Sequence, residues 1–386
     1  MRIGGDWLKD PATQAVLGML TQAGYHALCV GGCVRNALLG VPVADIDIAT
    51  NALPRTVSDL AEMAGLRPVP TGIAHGTVTV VAQGRGFEVT TFRQDVEAFG
   101  RHARIAFSTD LHHDAARRDF TMNALYARAD GTLLDPIGGL DDLRARRVRF
   151  VGTAAARIRE DYLRVLRFFR FYAQYGDPAQ GLDPEALAAC AEHSAMLETL
   201  SRERIGAEMR KLLAAPDPAP AVSAMAASGV LAAVLPGASA QALPILVHLE
   251  GDKPGPWLRR LAVLGTEDTP ERLRLSRAET RDFSLVRDYI ARPDRPAALG
   301  YRLKPGLAAD VVLARAALFQ TEPPADWQAQ IKRGAGAQFP LRPADLMPTL
   351  AGPKLGDALA RAEAHWIAND FAPDRAALKA LVLGGR

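Results

Sequence analysis

GGCVRNALLGVPVADIDIAT, residues 31–50, decides how this chain begins to fold. Gly31 and Gly32 end the short apolar run HALCV (His26–Val30), and Cys33–Leu39 then reads as a helix closed by Gly40. A glycine pair ahead of a helix lets the backbone approach a phosphate closely, and the free N–H groups of the helix start favour its charge. Arg35, in the first turn, can add a charge-assisted contact. DIDIA (Asp45–Ala49) alternates with period two, so Asp45 and Asp47 point to one face and Ile46 and Ile48 into a core. Two carboxylates held together repel unless a cation lies between them, and Mg²⁺, a hard ion that takes oxygen ligands, suits that position. Either half of this pattern is common alone; the two joined by one short helix are specific.

Working outward, GTVTVVA (Gly76–Ala82) and FEVTTF (Phe87–Phe92) are β-branched runs separated by QGRG, a hairpin signal. If the second run lies beside the DID strand, Glu88 completes a three-carboxylate catalytic metal site with Asp45 and Asp47; otherwise it is an exposed strand glutamate. Leu125–Ala129 and Leu133–Leu134, joined around Asp130-Gly131, form another expected hairpin. DAARRDFTMNALYA (114–127) reads as a helix capped by Asp114, with Arg118 suited to a triphosphate and Asp119 to a ribose hydroxyl. Val148–Phe150 is the last expected strand, and from Ala154 the pattern is helical nearly to the end. RIREDYLRVLRFFRFYA (157–173) is expected to be one helix, with Ile158, Tyr162, Val165 and Phe169 as its apolar stripe. Asp161, Arg164, Arg167 and Arg170 sweep across the opposite side. A carboxylate and a guanidinium one turn apart offer the acceptor and the donors that pair with a base edge.

Composition narrows the class. A chain of 386 residues exceeds one compact core, and 48% hydrophobic with 23% charged residues is ordinary for a globular protein, excluding wholesale disorder. No run approaches the roughly 18–20 apolar residues of a membrane span, and MRIGGDWLKD lacks an apolar signal core. Cys29 and Cys33 have no second Cys/His pair to complete a zinc site; with Cys190 they are expected to be buried thiols in a cytoplasmic, disulfide-free protein. Net charge is only +3, but 39 of the 46 basic residues are arginine, nine of them between Arg144 and Arg170. Arginine's planar fork suits phosphates and base edges. His112-His113-Asp114 superficially suggests a metal-dependent phosphohydrolase, yet no further His and Asp set accompanies it.

Taken in order, GGCVRNALLG, DIDIAT, GTVTVV, FEVTTFR, RRDFTMNALYA, LLDPIGGLDDL, REDYLRVLRFFRF and SRERIGAEMRKLL resemble the class II tRNA nucleotidyltransferase family of CCA-adding enzymes and bacterial poly(A) polymerases. They cover roughly residues 26–213 in the family's order and spacing. The resemblance implies an α+β fold: a polymerase-β-type nucleotidyltransferase head with a small mixed sheet (1–140), a helical neck carrying the base-recognition helix (141–213), and a helical body and tail that binds tRNA (214–386). It implies that Gly32, Arg35 and Arg118 hold the triphosphate, Asp45 and Asp47 bind catalytic Mg²⁺, and Asp119 contacts the ribose. Asp161 and Arg164 would pair with the base of CTP or ATP, Arg167 and Arg170 would support base and phosphates, and Glu160 would brace the helix. Ser201–Leu213 would buttress that helix, and Arg93–Arg104 matches a mobile loop used when specificity passes from C to A. One departure is Asn36, where the family usually has aspartate: a hydrogen bond can survive there, a salt bridge cannot.

The implied activity is template-independent addition of C, C and A to the 3′ end of tRNA lacking all or part of its CCA, from CTP and ATP, with no obligate protein partner. A poly(A) polymerase using ATP alone, or a partial CC- or A-adding enzyme, shares the same head. The CCA reading is preferred because GTVTVV follows the DID strand, the 93–104 loop is full length, and the long basic tail common in the polyadenylating relatives is missing. A catalytically dead RNA-binding protein would be expected to lose a metal carboxylate, and both are present.

Overall fold

The computed structural model describes residues 1–99, 102–252 and 254–384, and the chain falls into two compact units, Met1–Val234 and Leu235–Arg386. In the first unit the strands are β1 (Leu28–Val30), β2 (Asp47–Thr50), β3 (Arg67–Gly72), β4 (Thr77–Ala82), β5 (Arg85–Thr91), β6 (Arg93–Phe99), β7 (His102–Phe107), β8 (Tyr126–Ala127) and β9 (Leu133–Leu134). Seven of them form one mixed sheet in the order β3-β4-β5-β2-β1-β8-β9. β1 runs antiparallel to β2, whereas β2 and β5 are parallel, with Asp47 directly opposite Glu88. The expected hairpins are present as β4–β5 and β8–β9. Val148–Phe150, expected as a strand, contributes only an isolated bridge between Phe120 and Phe150. The stretch expected as a loop over 93–104 is a two-stranded antiparallel ribbon, β6–β7; residues 100 and 101 of it lie outside the described residues.

The sheet is the floor on which the helices are placed. Helix α1 (Pro11–Gln22) starts with proline in its first turn and Asp10 accepting from the Thr13 N–H, which satisfies a donor the helix leaves unpaired. Helix α2 (Gly32–Leu39) follows β1 through Gly31 at φ 71, a backbone setting that side chains with a Cβ rarely adopt. Helix α3 (Leu111–Ala116) is capped by Asp110, not by Asp114, and ends before Arg118; the chain then turns through a short 3-10 segment, Thr121–Asn123, into β8. After α4 (Gly139–Arg144), the 157–173 stretch proves to be two helices, α5 (Ala154–Glu160) and α6 (Leu163–Tyr175), broken at Asp161 with φ −154 and ψ 106. Ile158, Val165 and Phe169 of the expected stripe are fully buried, and Tyr162, beside the break, is half-buried.

Aromatic packing anchors α6. Phe120 stands 4.9 Å from Phe150 and 4.8 Å from Phe171, and Phe150 lies 5.7 Å from Phe168, measured between ring centroids. Phe120 and Phe168 are wholly buried; sequestering each stabilises the fold by about 2–3 kcal/mol. Helix α7 (Arg202–Leu213) packs along α6 with Ile205, Met209 and Leu212 buried.

The second unit is helical throughout its described residues, as the pattern leads one to expect. Helices α8 (Ala242–Glu250), α9 (Trp257–Leu264), α10 (Pro296–Arg302), α11 (Pro305–Phe319) and α12 (Trp327–Gly336) make up its first part. Glu250 and Arg260, 1% and 0% exposed, are paired at 2.8 Å, and Arg259 bridges Glu250 (3.2 Å) and Asp310 (2.7 Å). Helices α10 and α12 nearly touch: a Cβ on Gly300 would lie 2.2 Å from the Ile331 carbonyl oxygen, and one on Gly334 1.9 Å from that of Ala297. Toward the carboxyl end, Trp366 packs on Tyr301, Phe339 and Phe371 within a core that includes Leu346, Ala362 and Leu378. No described helix is long and apolar enough to cross a membrane.

Candidate active site

The carboxylates stand where the alternation puts them. Ile46 and Ile48 are buried, at 5% and 0% exposure, while Asp45, Asp47 and Glu88 face outward. Asp45 precedes β2 rather than lying in it. Asp47 is open to water on one side and crowded by protein on the others. That crowding raises its carboxyl above the ordinary value, as do Glu88 and Asp45, against the opposing pull of Arg118. Such mutual repulsion is what a bound cation relieves, so the donor set fits a hard divalent metal. Among the described residues, no three His, Cys, Asp or Glu side chains stand close enough to make a ready-made metal cage, so Glu88 is an added neighbour of the pair and not part of a formed triad.

Arg118 overhangs the glycine turn. A Cβ on Gly31 would lie 3.4 Å from the Arg118 Nη1, and the backbone of Gly32 opens α2 beneath it. The guanidinium is held from behind: Nε donates to the Tyr126 hydroxyl (3.1 Å) and Nη2 to Asp114 Oδ2 (3.0 Å). Asp114 also takes Arg117 at 2.6 Å and the Tyr126 hydroxyl at 2.8 Å. Burial pushes Asp114 up, but Arg118, Arg117 and Tyr126 outweigh it and hold the carboxyl below the ordinary value. Asp114, expected as a helix cap, is thus the buried anchor of the arginine that overhangs the glycine turn, a role the sequence does not signal.

Arg35, expected to hold the triphosphate, is buried and turned to protein partners in this structure. It is 7% exposed, donates to Asn123 Oδ1 (2.6 Å), Asn36 Oδ1 (2.9 and 3.2 Å) and the Tyr175 hydroxyl (2.8 Å), and lies 4.1 Å from the Tyr175 ring centroid. It ties α2 to α6. The hydrogen bond expected to survive at Asn36 is present, and Asn36 also donates to the Pro42 carbonyl at 3.0 Å.

Arg157, Glu160, Arg164, Arg167 and Arg170, along α5 and α6, are engaged. Glu160 accepts from Arg157 (2.9 Å) and Arg164 (2.6 Å), the bracing position expected of it. Asp119 accepts from the Phe120 N–H and Asn123 (both 2.9 Å) and from Arg167 (Nε, 2.9 Å), so both its oxygens are taken and no ribose-facing acceptor is left open. Arg170 pairs with Glu208 of α7 at 2.6 Å. Asp161, in the break between α5 and α6, accepts from the Leu163 N–H (3.1 Å) through one oxygen and from Arg204 (2.6 Å) through the other. Arg204 and Glu208 were not singled out from sequence; their i, i+4 spacing on a helix expected to buttress the recognition segment is the signal that could have found them. A polar chain, Arg167–Asp119–Asn123–Arg35, connects α6 to the glycine turn. Cys29 and Cys33 are buried thiols beneath that turn, and His112 and His113 are exposed and bonded locally to Asp110 and Ser108.

Residues 27–149 match the family described as the Poly A polymerase head domain, and residues 181–241 the one described as a probable RNA- and SrmB-binding site of polymerase A. The human mitochondrial CCA tRNA nucleotidyltransferase 1 is 47% identical over 196 residues, 50% of this chain and 45% of the human one. The CCA-adding enzyme of Geobacillus thermodenitrificans (strain NG80-2) is 40% identical over 259 residues, 66% of this chain and 59% of its own. The chain thus spans about half the length of the curated relatives it matches. Among solved structures, the CCA-adding enzyme of Bacillus stearothermophilus in complex with CTP is 30% identical with a TM-score of 0.73, covering 97% of this chain and 98% of that one. The Thermotoga maritima CCA-adding enzyme complexed with tRNA, 18% identical at a TM-score of 0.70 over 99% of this chain and 96% of that one, shares the fold.

Proposed function

Because the chain belongs to the class II tRNA nucleotidyltransferase family of CCA-adding enzymes and bacterial poly(A) polymerases, we propose that it adds C, C and A to the 3′ end of tRNA from CTP and ATP, releasing pyrophosphate. The observation that carries this reading is the alignment of a carboxylate pair, an arginine over a glycine turn, and a base-reading segment connected to that turn by one polar chain.

Nucleotidyl transfer in this family is divalent-metal chemistry, and Asp45 and Asp47 would hold the ion, here Mg²⁺. When bound, it would lower the pKa of the tRNA 3′-hydroxyl and offset charge on the departing pyrophosphate. Arg118 and the first N–H groups of α2 receive the triphosphate, with Asp114 and Tyr126 keeping the guanidinium in place. Asp161 accepts from the exocyclic amino group that C and A share, and Arg164 donates to the neighbouring ring acceptor. Arg167 and Arg170 support the base and the phosphates of every nucleotide alike, and Asp119 reaches the ribose only by giving up part of its hold on Arg167. Glu88 keeps the carboxylate face strongly negative beside Asp47. Arginines of the helical body and tail, residues 214–386, engage the tRNA backbone, with steep salt dependence and little sequence preference. Buried, unpaired cysteines suit the cytoplasm.

The test is incubation of the full chain with tRNA lacking its CCA, with CTP and ATP separately and together. Two added residues with CTP and completion only with both nucleotides support the reading. Long adenylate tails from ATP alone favour the poly(A) alternative, addition of only CC or only A marks a partial enzyme, and no addition rejects all of these.

A further inference from the structure

Helix α7 presents Arg204 and Glu208 one turn apart on the face it packs against α6. Their charges complement the residues opposite. Arg204 meets the acidic Asp161 at 2.6 Å, and Glu208 meets Arg170 at 2.6 Å and Arg167 at 3.9 Å. The two contacts differ in kind. Glu208 is 5% exposed and sits behind arginines that already have other contacts, whereas Arg204 and Asp161 retain 25% and 21% side-chain exposure beside the break between α5 and α6.

Asp161 is outside both helices, so neither helical ladder orients its side chain. Two donors do so instead: the Leu163 N–H on Oδ1 and the Arg204 guanidinium on Oδ2. A carboxylate pinned through both oxygens offers its remaining lone pairs in one direction only. We infer that Arg204 is a specificity-determining positioning residue: by fixing the rotation of Asp161 it confines that acceptor to the exocyclic amino group of C and A. This rests on reading Asp161 as a base contact. Without Arg204 the carboxylate pivots about its single remaining tie. It can then also accept from the ring N–H that uracil and guanine carry at the neighbouring position, so rejection of U and G weakens. Glu208, acting on Arg167 and Arg170, which do not choose the base, supports affinity without choice.

The experiment is equilibrium binding of CTP, ATP, UTP and GTP to the full chain and to Arg204→Met, Arg204→Lys and Glu208→Gln, with unfolding midpoints confirming that each variant is folded. The wild-type chain is expected to prefer CTP and ATP. Arg204→Met should reduce that preference about tenfold, and Arg204→Lys, whose ammonium can still donate to Oδ2, should restore most of it. Glu208→Gln should weaken all four nucleotides alike. The inference fails if the wild-type chain binds all four equally, if Arg204→Met keeps the preference or tightens every nucleotide, or if Glu208→Gln erodes the preference as much as Arg204→Met. A chain that discriminates among nucleotides but does not extend tRNA would sink the proposed reaction and leave the role of Arg204 standing.

Discussion

Each unit of this protein contains a buried cluster of arginines and acids, and the two clusters are balanced differently. Around the glycine turn, Asp114 at 1% side-chain exposure is shared by Arg117 and Arg118, which keep 16% and 18% of theirs. Two guanidiniums on one carboxylate leave a surplus positive charge, which in the proposed function an anionic phosphate completes. In the helical unit, Arg259 and Arg260 meet Glu250 and Asp310, two cations for two anions, with Arg260 at 0% and Glu250 at 1% exposure. Those pairs are balanced in charge and serve the core. The same residue types therefore leave surplus positive charge in one place and hold helices together in the other, and stoichiometry with exposure tells them apart.

The comparison breaks most visibly if the carboxylate pair proves dispensable. Asp47→Ala should lower nucleotide addition by about a thousandfold or more, while tRNA binding in a filter assay stays near wild type. Substantial Mg²⁺-dependent turnover in both Asp47→Ala and Asp45→Ala would remove the assigned metal site. Next in size, Arg260→Met should destabilise the helical unit by about 3 kcal/mol in urea unfolding, because it leaves a buried acid short of its partner; nucleotide choice should not move. Arg118→Ala should weaken binding of all four nucleotides alike, about tenfold to a hundredfold, since it loses a charge-assisted phosphate contact. A change in selectivity as large as the change in affinity would contradict that assignment.

The smallest effect is a difference in sign with pH. Asp114 is held below the ordinary carboxyl value, burial being outweighed by Arg118, Arg117 and Tyr126. Its contribution to stability is present above that ordinary value and lost as pH falls through the depressed one. Asp310 is shifted the other way: burial raises it, with Glu250 and Asp282 adding to the rise and Arg259 opposing it. Its contribution is present below the ordinary value and lost as pH rises through the raised one. Urea midpoints across the carboxylate range should therefore show Asp114→Asn losing ground to wild type as pH rises, and Asp310→Asn gaining it. Parallel slopes would mean the two clusters are not electrostatically distinct.

Much of the head was legible in sequence because its signals are local. The Gly-Gly turn, the alternation of DIDIA and the β4–β5 hairpin each involve residues a few positions apart, and the parallel partnership of β2 with β5 placed Glu88 as expected. The errors came where one side chain competes with the backbone or reaches far along the chain. A helical wheel drew 157–173 as continuous, but Asp161 accepts from the N–H two residues on, a bond that aspartate offers in place of the helical ladder. Asp110, four residues before Asp114, has the same capping chemistry and started α3 earlier, which freed Asp114 for the interior. Arg35 was read by its proximity to the turn, yet its partners Asn123 and Tyr175 lie 88 and 140 residues away. The helical unit offered no motif at all, since the pairing of Arg259 with Asp310 spans 51 residues and no short pattern encodes it.

The gap between α5 and α6 has one more consequence, for engineering. The flanking residues Ile158, Leu163 and Val165 secure both helices in the core, and Asp161 adds no apolar surface to it. Its carbonyl begins the next helix by accepting from the Arg164 N–H at 3.0 Å, a contact that any side chain at this position would preserve. Replacing Asp161 therefore leaves that backbone contact in place and removes the two side-chain bonds, to the Leu163 N–H and to Arg204. If Asp161 and Arg204 act as proposed, exchanging this acceptor and its clamp for a different complementary pair is the place to alter nucleotide choice, because the apolar residues that secure both helices are left untouched.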